Sequence, residues 1–362
     1  MKLEKFVKKS IYDVPLYVPG KSIEEIAQVY GIEVENIIRL ASNENPLGPS
    51  PAALEAAEEA LKVSHLYPDP EAKDLCSALK EYMNINSEIV VGNGSDDVLE
   101  QIVKIFVENG NSALIAAPTF SYYSILVKMY GGIPNNIPFR EGKDSFSFDV
   151  NSILNSVESK TKMIFICSPN NPTGNSISKS ELEEILETGK VVVLDEAYKE
   201  FGESSMAELT ETYSNLVVTG TFSKAFGLAG LRAGYCACST AIKELILKVK
   251  QPFNVSFVAQ NAALAALNDV EHLEKSVKLA RNGREYIIKV TRGLGLKAYD
   301  SHGNFVLIKA EGKPEIVENL FRKGIIVRGC GSFPGLSEEY FRVSVGLEDE
   351  NKRFVARLRE IV

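Results

Sequence analysis

Short runs of consecutive apolar residues, each followed by a polar turn and a helical pattern, recur through the middle of this 362-residue chain. That alternation restricts the fold more than any other feature. Apolar runs span Glu88–Val91, Ser112–Ala117, Met163–Cys167, Val191–Leu194, Leu216–Thr219 and Ala233–Cys238. Val191–Leu194 is apolar at four successive positions, as in a strand buried on both faces. Between the runs lie helical patterns at Asp96–Glu108, Phe120–Tyr130, Lys179–Glu187 and Ile242–Val249. Val98, Ile102, Ile105 and Phe106 form one apolar face, and Ser178 is placed to cap the third helix. Strands alternating with helices imply an α/β class with a mostly parallel sheet and helices on both faces.

The two ends differ from the middle. Residues 1–35 read as an N-terminal arm with one helix at Ser22–Tyr30, belonging in part to a smaller domain. Residues 36–255 form the large domain. Residues 256–362 form a small α+β domain, with a long helical pattern over 256–291, strands at Asn304–Lys309, Ile325–Arg328 and Phe341–Val345, a helix near 314–323, and a terminal helix.

Composition narrows the function. Apolar residues make up 45% and charged residues 24%, ordinary for a globular enzyme. The net charge is −8 and no basic run stands out, so neither nucleic acid nor membrane is an expected partner. No run of about 18 apolar residues suggests a membrane span, and no apolar signal core opens the chain; a cytoplasmic location is expected. Five scattered cysteines fit reduced core thiols, Cys236 and Cys238 sharing one strand face. Three isolated histidines give no metal-ligand pattern, and no metal is expected.

The chemistry lies where polar motifs follow the apolar runs. Four runs lead into Gly92-Asn93-Gly94-Ser95-Asp96, Ser168-Pro169-Asn170-Asn171-Pro172-Thr173-Gly174, Asp195-Glu196-Ala197-Tyr198 and Thr221-Phe222-Ser223-Lys224. Ligands of open parallel sheets bind outside the carboxyl ends of strands, so parallel strands would gather all four turns into one site. The Gly92–Ser95 turn opens a helix, whose free N–H groups suit a phosphate. Taken alone, it reads first as a tight turn. Asp195 ends an apolar run, where a carboxylate is costly unless paired with a cation such as a protonated pyridine nitrogen. The plainer reading is a helix cap. Lys224 follows a buried run and stands between Ser223 and a glycine-rich segment ending near Arg232; those two can hold a phosphate beside a nucleophilic amine. No G-x-G-x-x-G follows a strand, against a dinucleotide site.

These residues resemble a known family. Thr221-Phe222-Ser223-Lys224-Ala225-Phe226-Gly227-Leu228-Ala229-Gly230-Leu231-Arg232 is similar to the lysine signature of class II pyridoxal-phosphate aminotransferases, and Asn171-Pro172-Thr173-Gly174 and Asp195–Tyr198 match its companions in order. The resemblance implies a seven-stranded fold-type I sheet and pyridoxal 5'-phosphate as cofactor. It implies that Lys224 holds the cofactor as a Schiff base and shuttles the proton. Asp195 would pair with the pyridine nitrogen, and Tyr198 and Asn171 would bond the phenolic oxygen. Ser223, Arg232 and the amides of Ser95 and Asp96 would hold the phosphate, and Phe120 would stack on the ring. It also implies a cis Asn171–Pro172 bond.

The ends resemble histidinol-phosphate aminotransferases more narrowly, through Tyr17–Glu25, Ala41–Gly48 with Asn43, His65-Leu66-Tyr67-Pro68-Asp69, Ile325–Gly329 and Phe341–Gly346. That likeness implies a homodimer in which Tyr67 reaches the cofactor phosphate of the other subunit. It also implies a substrate site of Tyr17, Asn43, Arg328 and Arg342. Arg342 would take the α-carboxylate of glutamate, and Arg328 the phosphate of histidinol phosphate. Plainer readings are a cross-strand ion pair for Arg342 and a surface loop for Arg328. Threonine-phosphate decarboxylases and aromatic-amino-acid aminotransferases share much of this pattern, so the expected transamination of histidinol phosphate with 2-oxoglutarate has those alternatives. A ligand-binding domain without catalysis is the reading from another class.

Overall fold

The computed structural model describes residues 3–16, 20–202 and 204–362. Among these, seven strands form a central sheet: β1 Glu88–Gly92, β2 Ser112–Ala117, β3 Ile133–Pro138, β4 Thr161–Cys167, β5 Val191–Asp195, β6 Leu216–Thr221 and β7 Gly234–Cys238. Their spatial order is β1-β7-β6-β5-β4-β2-β3. Only β7 runs antiparallel to its neighbours; the other pairs are parallel. The carboxyl ends of β1, β2, β4, β5 and β6 therefore share one edge with the amino end of β7. This reversal brings Arg232, just before β7, to the same edge as Lys224.

Strand side chains alternate between two apolar layers. Ile164, Val192 and Val218 face one layer, with Leu182 and Ala262. Phe165, Val193 and Val217 face the other, with Leu99, Leu126 and Ile246. Cys236 and Cys238 lie together in the second layer, with Ala237 in the first. Each such buried Val, Leu or Ile contributes roughly 1.5–3 kcal/mol.

The helices are α1 Ile23–Tyr30, α2 Pro51–Leu61, α3 Lys73–Met83, α4 Ser95–Phe106, α5 Tyr122–Met129, α6 Val150–Asn155, α7 Lys179–Leu186, α8 Thr240–Val249, α9 Phe257–Asn268, α10 Val270–Gly293, α11 Ile316–Arg322 and α12 Glu348–Arg359. Ser178 and Glu181 close a capping box on α7. The helical pattern over 256–291 is two helices, because the Asp269 side chain accepts from His272 N at 3.1 Å and starts α10 afresh. Edge strand β3 escapes the sequence reading, since Pro134 and Pro138 dilute its pattern; proline is tolerated there only because the strand is at the edge.

A second, antiparallel sheet holds β8 Lys297–Ala298, β9 Phe305–Lys309, β10 Arg328–Gly329 and β11 Tyr340–Ser344 in the order β8-β9-β11-β10. The expected strand Ile325–Arg328 is divided: Ile325–Ile326 pairs in parallel with Ile38–Arg39, while Arg328 joins β10. Residues from both chain ends thus meet, and Ser344 N donates to Leu40 O at 2.8 Å.

Candidate active site

The sheet edge and β10–β11 enclose a cavity of about 310 Å³. Lys224, Ser223 and Arg232 line it from the β6–β7 side, Ser95 and Asp96 from the start of α4, and Asp195 and Tyr198 from the end of β5. Asn171 and Phe120 complete the large-sheet wall, and Asn43, Arg328 and Arg342 stand in the wall opposite. Twelve residues singled out by sequence thus meet in one place. Tyr67 does not line the cavity; it is 82% exposed and stacks on Phe253. Tyr17 lies outside the described residues.

The lysine is held rather than free. Lys224 Nζ donates to Ser42 O at 3.0 Å and lies 5.7 Å from the Tyr198 ring centre. Burial, and then the Arg342 guanidinium, lower its pKa from 10.5 to about 8. A neutral, nucleophilic fraction therefore exists near neutral pH.

Asp195 is buried at the end of β5, with Cys167 and Thr219 as its register partners. Its Oδ1 accepts from Ala197 N at 3.1 Å, and its Oδ2 accepts from the Tyr123 hydroxyl. Burial raises its pKa despite these donors. No ion pair reaches Asp195 among the described residues, so the carboxylate lacks a cation it is costly to be without. A cationic ring nitrogen would supply that need.

The anion end is equally specific. Gly94 adopts φ +85°, and α4 begins without a side-chain cap, leaving its first N–H groups open. A Cβ on Gly234 would lie 2.2 Å from Ser95 N, so only glycine lets β7 close against this turn. Arg232 spans the end: Nη2 lies 3.2 Å from Asp96 Oδ2 and Nη1 donates to Ser223 Oγ at 3.4 Å. Burial raises the Asp96 carboxyl while Arg232 pulls it down. Thr221 Oγ1 accepts from Ser223 N at 3.1 Å and shapes the turn before Lys224. An amine, a buried carboxylate short of a cation, and an open helix start beside an arginine together fit pyridoxal phosphate.

The opposite wall is tied by polar side chains. Asn43 Nδ2 donates to the Tyr198 hydroxyl at 3.1 Å, and the Ser344 hydroxyl donates to Asn43 Oδ1 at 2.8 Å. Burial lifts Tyr198 to about 12. Arg342 is buried and donates to Asn171 Oδ1 and Ala41 O. The Asn171–Pro172 bond is cis.

Tyr123 also belongs to this site but escapes the sequence reading, while Ser42, Thr221 and Phe333 line it without a role assigned from the sequence. Tyr123 lies on the apolar face of α5 and reads as core. Its partner is 72 residues away, and only the unmet need of Asp195 points to it.

Comparison with known proteins agrees with the geometry. The sequence profile of the family "Aminotransferase class I and II" matches residues 35–358. The histidinol-phosphate aminotransferase of Methanosarcina mazei is 43% identical over 96% of this chain and 95% of that protein. That of Methanothermobacter thermautotrophicus is 38% identical over 98% and 97%. Among solved structures, histidinol-phosphate aminotransferase from Sinorhizobium meliloti in complex with pyridoxal-5'-phosphate superposes with a TM-score of 0.85 at 27% identity, covering 98% of this chain and 96% of that one. The enzyme from Clostridium acetobutylicum gives 0.84 at 27% identity over 90% and 99%. The chain belongs to the class I and II aminotransferases, within the family of histidinol-phosphate aminotransferases.

Proposed function

We propose that this protein transfers the amino group of L-histidinol phosphate to 2-oxoglutarate, giving imidazole acetol phosphate and L-glutamate in histidine biosynthesis. The observation that carries this reading is the pair Arg328 and Arg342 in the wall opposite Lys224. A plain amino-acid substrate needs one arginine for its carboxylate. Histidinol phosphate has no carboxylate, and its phosphate needs a cation in the same region as the one that takes glutamate.

Pyridoxal phosphate, when bound, supplies an electron sink for the charge left on the substrate α-carbon after proton loss. The chain supplies the rest. Lys224 Nζ, with its lowered pKa, would hold the cofactor and would take the proton from the substrate α-carbon. Asp195 would keep the ring nitrogen cationic. Tyr198 and Asn171 would hydrogen-bond the phenolic oxygen. Ser95, Asp96, Ser223 and Arg232 would bind the phosphate, and Phe120 would stack on the ring. Arg342 would receive the glutamate carboxylate and Arg328 the substrate phosphate, with Tyr17 assigned to the same substrate by resemblance alone; Asn43, also in the substrate site, donates to the Tyr198 hydroxyl.

The working unit in this reading is a homodimer in which Tyr67 serves the cofactor phosphate of a second copy. Supporting it, Leu54, Leu61, Val63, Leu66, Tyr67 and Phe253 are all exposed, Leu54 and Leu61 seven apart on one face of α2. The proposed division is an arm over 1–35, a cofactor domain over 36–255 and a small domain over 256–362. A cytoplasmic location accords with five unpaired thiols and with no described helix being long and apolar enough to cross a membrane.

The test is glutamate formation from L-histidinol phosphate and 2-oxoglutarate. Sustained formation that Lys224→Ala abolishes supports the reading. A Lys224→Ala protein working at the wild-type rate refutes it.

A further inference from the structure

Tyr67 stands on a loop that contacts a second loop, around Phe253. The Tyr67 and Phe253 rings stack with centres 4.6 Å apart and planes 25° apart. Phe253 is 40% exposed and adopts φ +56°, a left-handed conformation that bulky residues rarely take. Its exposed ring lies along that of Tyr67. Two further bonds hold the tyrosine's loop: Lys250 Nζ donates to Pro70 O at 2.6 Å, and Gln260 Nε2 donates to Asp69 O at 3.0 Å.

The residue after Phe253 connects this pair to the cofactor site. Asn254 Nδ2 donates to Asp97 Oδ2 at 2.6 Å. The same oxygen accepts from Asn93 N at 2.8 Å, and Asp97 Oδ1 accepts from Gln101 Nε2 at 2.9 Å. Asn93 belongs to the turn that opens the phosphate end. One carboxylate thus bonds both the chain's own phosphate turn and the loop that carries Phe253.

We propose that Phe253 is a positioning residue that aims Tyr67 at a second copy, and that Asp97 ties its loop to the phosphate turn of its own copy. The inference rests on the reading above that Tyr67 serves the second copy's cofactor. Its consequence is directional: losing the Phe253 ring weakens cofactor retention in the partner's site and not in its own.

Mixed dimers separate the two sites. One subunit carries Lys224→Ala and the other Phe253→Gly, glycine being suited to the positive φ. The lysine-bearing site then belongs to the Phe253→Gly subunit and receives Tyr67 from a subunit with Phe253 intact. The readout is the rate of cofactor release from that site, followed by the visible absorbance of the lysine-linked form after dilution. Release is expected to be about tenfold faster than wild type in the Phe253→Gly homodimer, wild-type in the mixed dimer, and wild-type in the Phe253→Tyr homodimer. Fast release in the mixed dimer, unchanged release in the Phe253→Gly homodimer, or fast release with Phe253→Tyr each overturns the proposal. If Phe253→Gly does not fold, Phe253→Leu takes its place, removing the ring but not the apolar bulk. Tyr67→Phe in the same mixed format tests the underlying reading: if its own effect stays within its subunit, the reading itself falls; if it crosses while that of Phe253→Gly does not, only the role of Phe253 falls.

Discussion

Arg328 and Arg342 stand directly opposite each other in register on the adjacent antiparallel strands β10 and β11, and both line the cavity that contains Lys224. Like charges in such a cross-strand position oppose folding by roughly 0.2–1 kcal/mol. An anionic substrate group between them reverses the sign of that interaction. The arrangement suits a site that must bind a carboxylate in one half-reaction and a phosphate in the other.

Arg328→Ala is therefore expected to lower kcat/KM for L-histidinol phosphate by roughly ten- to a hundredfold, the equivalent of about 1.5–3 kcal/mol for a bond to a charged group. The glutamate half-reaction should change far less. Equal losses on both substrates, measured by single-turnover spectroscopy, refute a phosphate role for Arg328.

The lowered pKa of Lys224 makes a pH prediction. The amine titrates near pH 8 in the folded protein and at 10.5 when unperturbed. In the proposed mechanism the neutral amine attaches the cofactor, so reconstitution of the apoprotein should accelerate as pH rises through about 8 and level off above it. Arg342 is among the groups holding the value down, so Arg342→Gln should move the midpoint upward. A wild-type rate still climbing near pH 10, or a midpoint unmoved by Arg342→Gln, contradicts this account of the lysine.

Asp195→Asn tests the carboxylate that lacks a cation. Its folded pKa is raised by burial, so the folded apoprotein holds more protons than the unfolded chain between the usual carboxylate range and that raised value. Wild-type apoprotein stability should fall as pH rises through that window. The asparagine variant should lack the fall and bind the cofactor about ten- to a hundredfold more weakly. Urea unfolding at several pH values and a cofactor titration measure both; a variant with unaltered cofactor affinity removes Asp195 from the site.

Tyr123→Phe removes a hydroxyl donor from buried Asp195. A buried acceptor left short of a partner costs about 1–3 kcal/mol. Urea unfolding of the apoprotein should show a loss of that size, and the Asp195 carboxyl should titrate higher still. Unchanged stability contradicts the hydrogen bond.

Much of this was legible in the sequence because the site sits where the strands end. The turns that begin at Gly92, Ser168, Asp195 and Thr221 each carry polar residues at the end of an apolar run, and parallel order alone gathers them. Arg232 arrives by a strand reversal that its distance in sequence does not reveal. Tyr123 and Phe253 were hidden for another reason: each is an aromatic residue in an apolar context, and what separates it from core is a partner far along the chain. The break at Asp269 is not legible because apolar periodicity continues across it, nor is the split of Ile325–Arg328, because two sheets share one apolar run.

The most direct measurement is a panel of half-reactions: the lysine-linked holoenzyme mixed separately with L-histidinol phosphate, L-phenylalanine and L-threonine phosphate, with conversion to the pyridoxamine form and release of carbon dioxide followed together. Rapid conversion to the pyridoxamine form with L-histidinol phosphate, slower conversion with L-phenylalanine, and no carbon dioxide from L-threonine phosphate is the expected result. No conversion with L-histidinol phosphate, or carbon dioxide released from L-threonine phosphate without the pyridoxamine form, would contradict it.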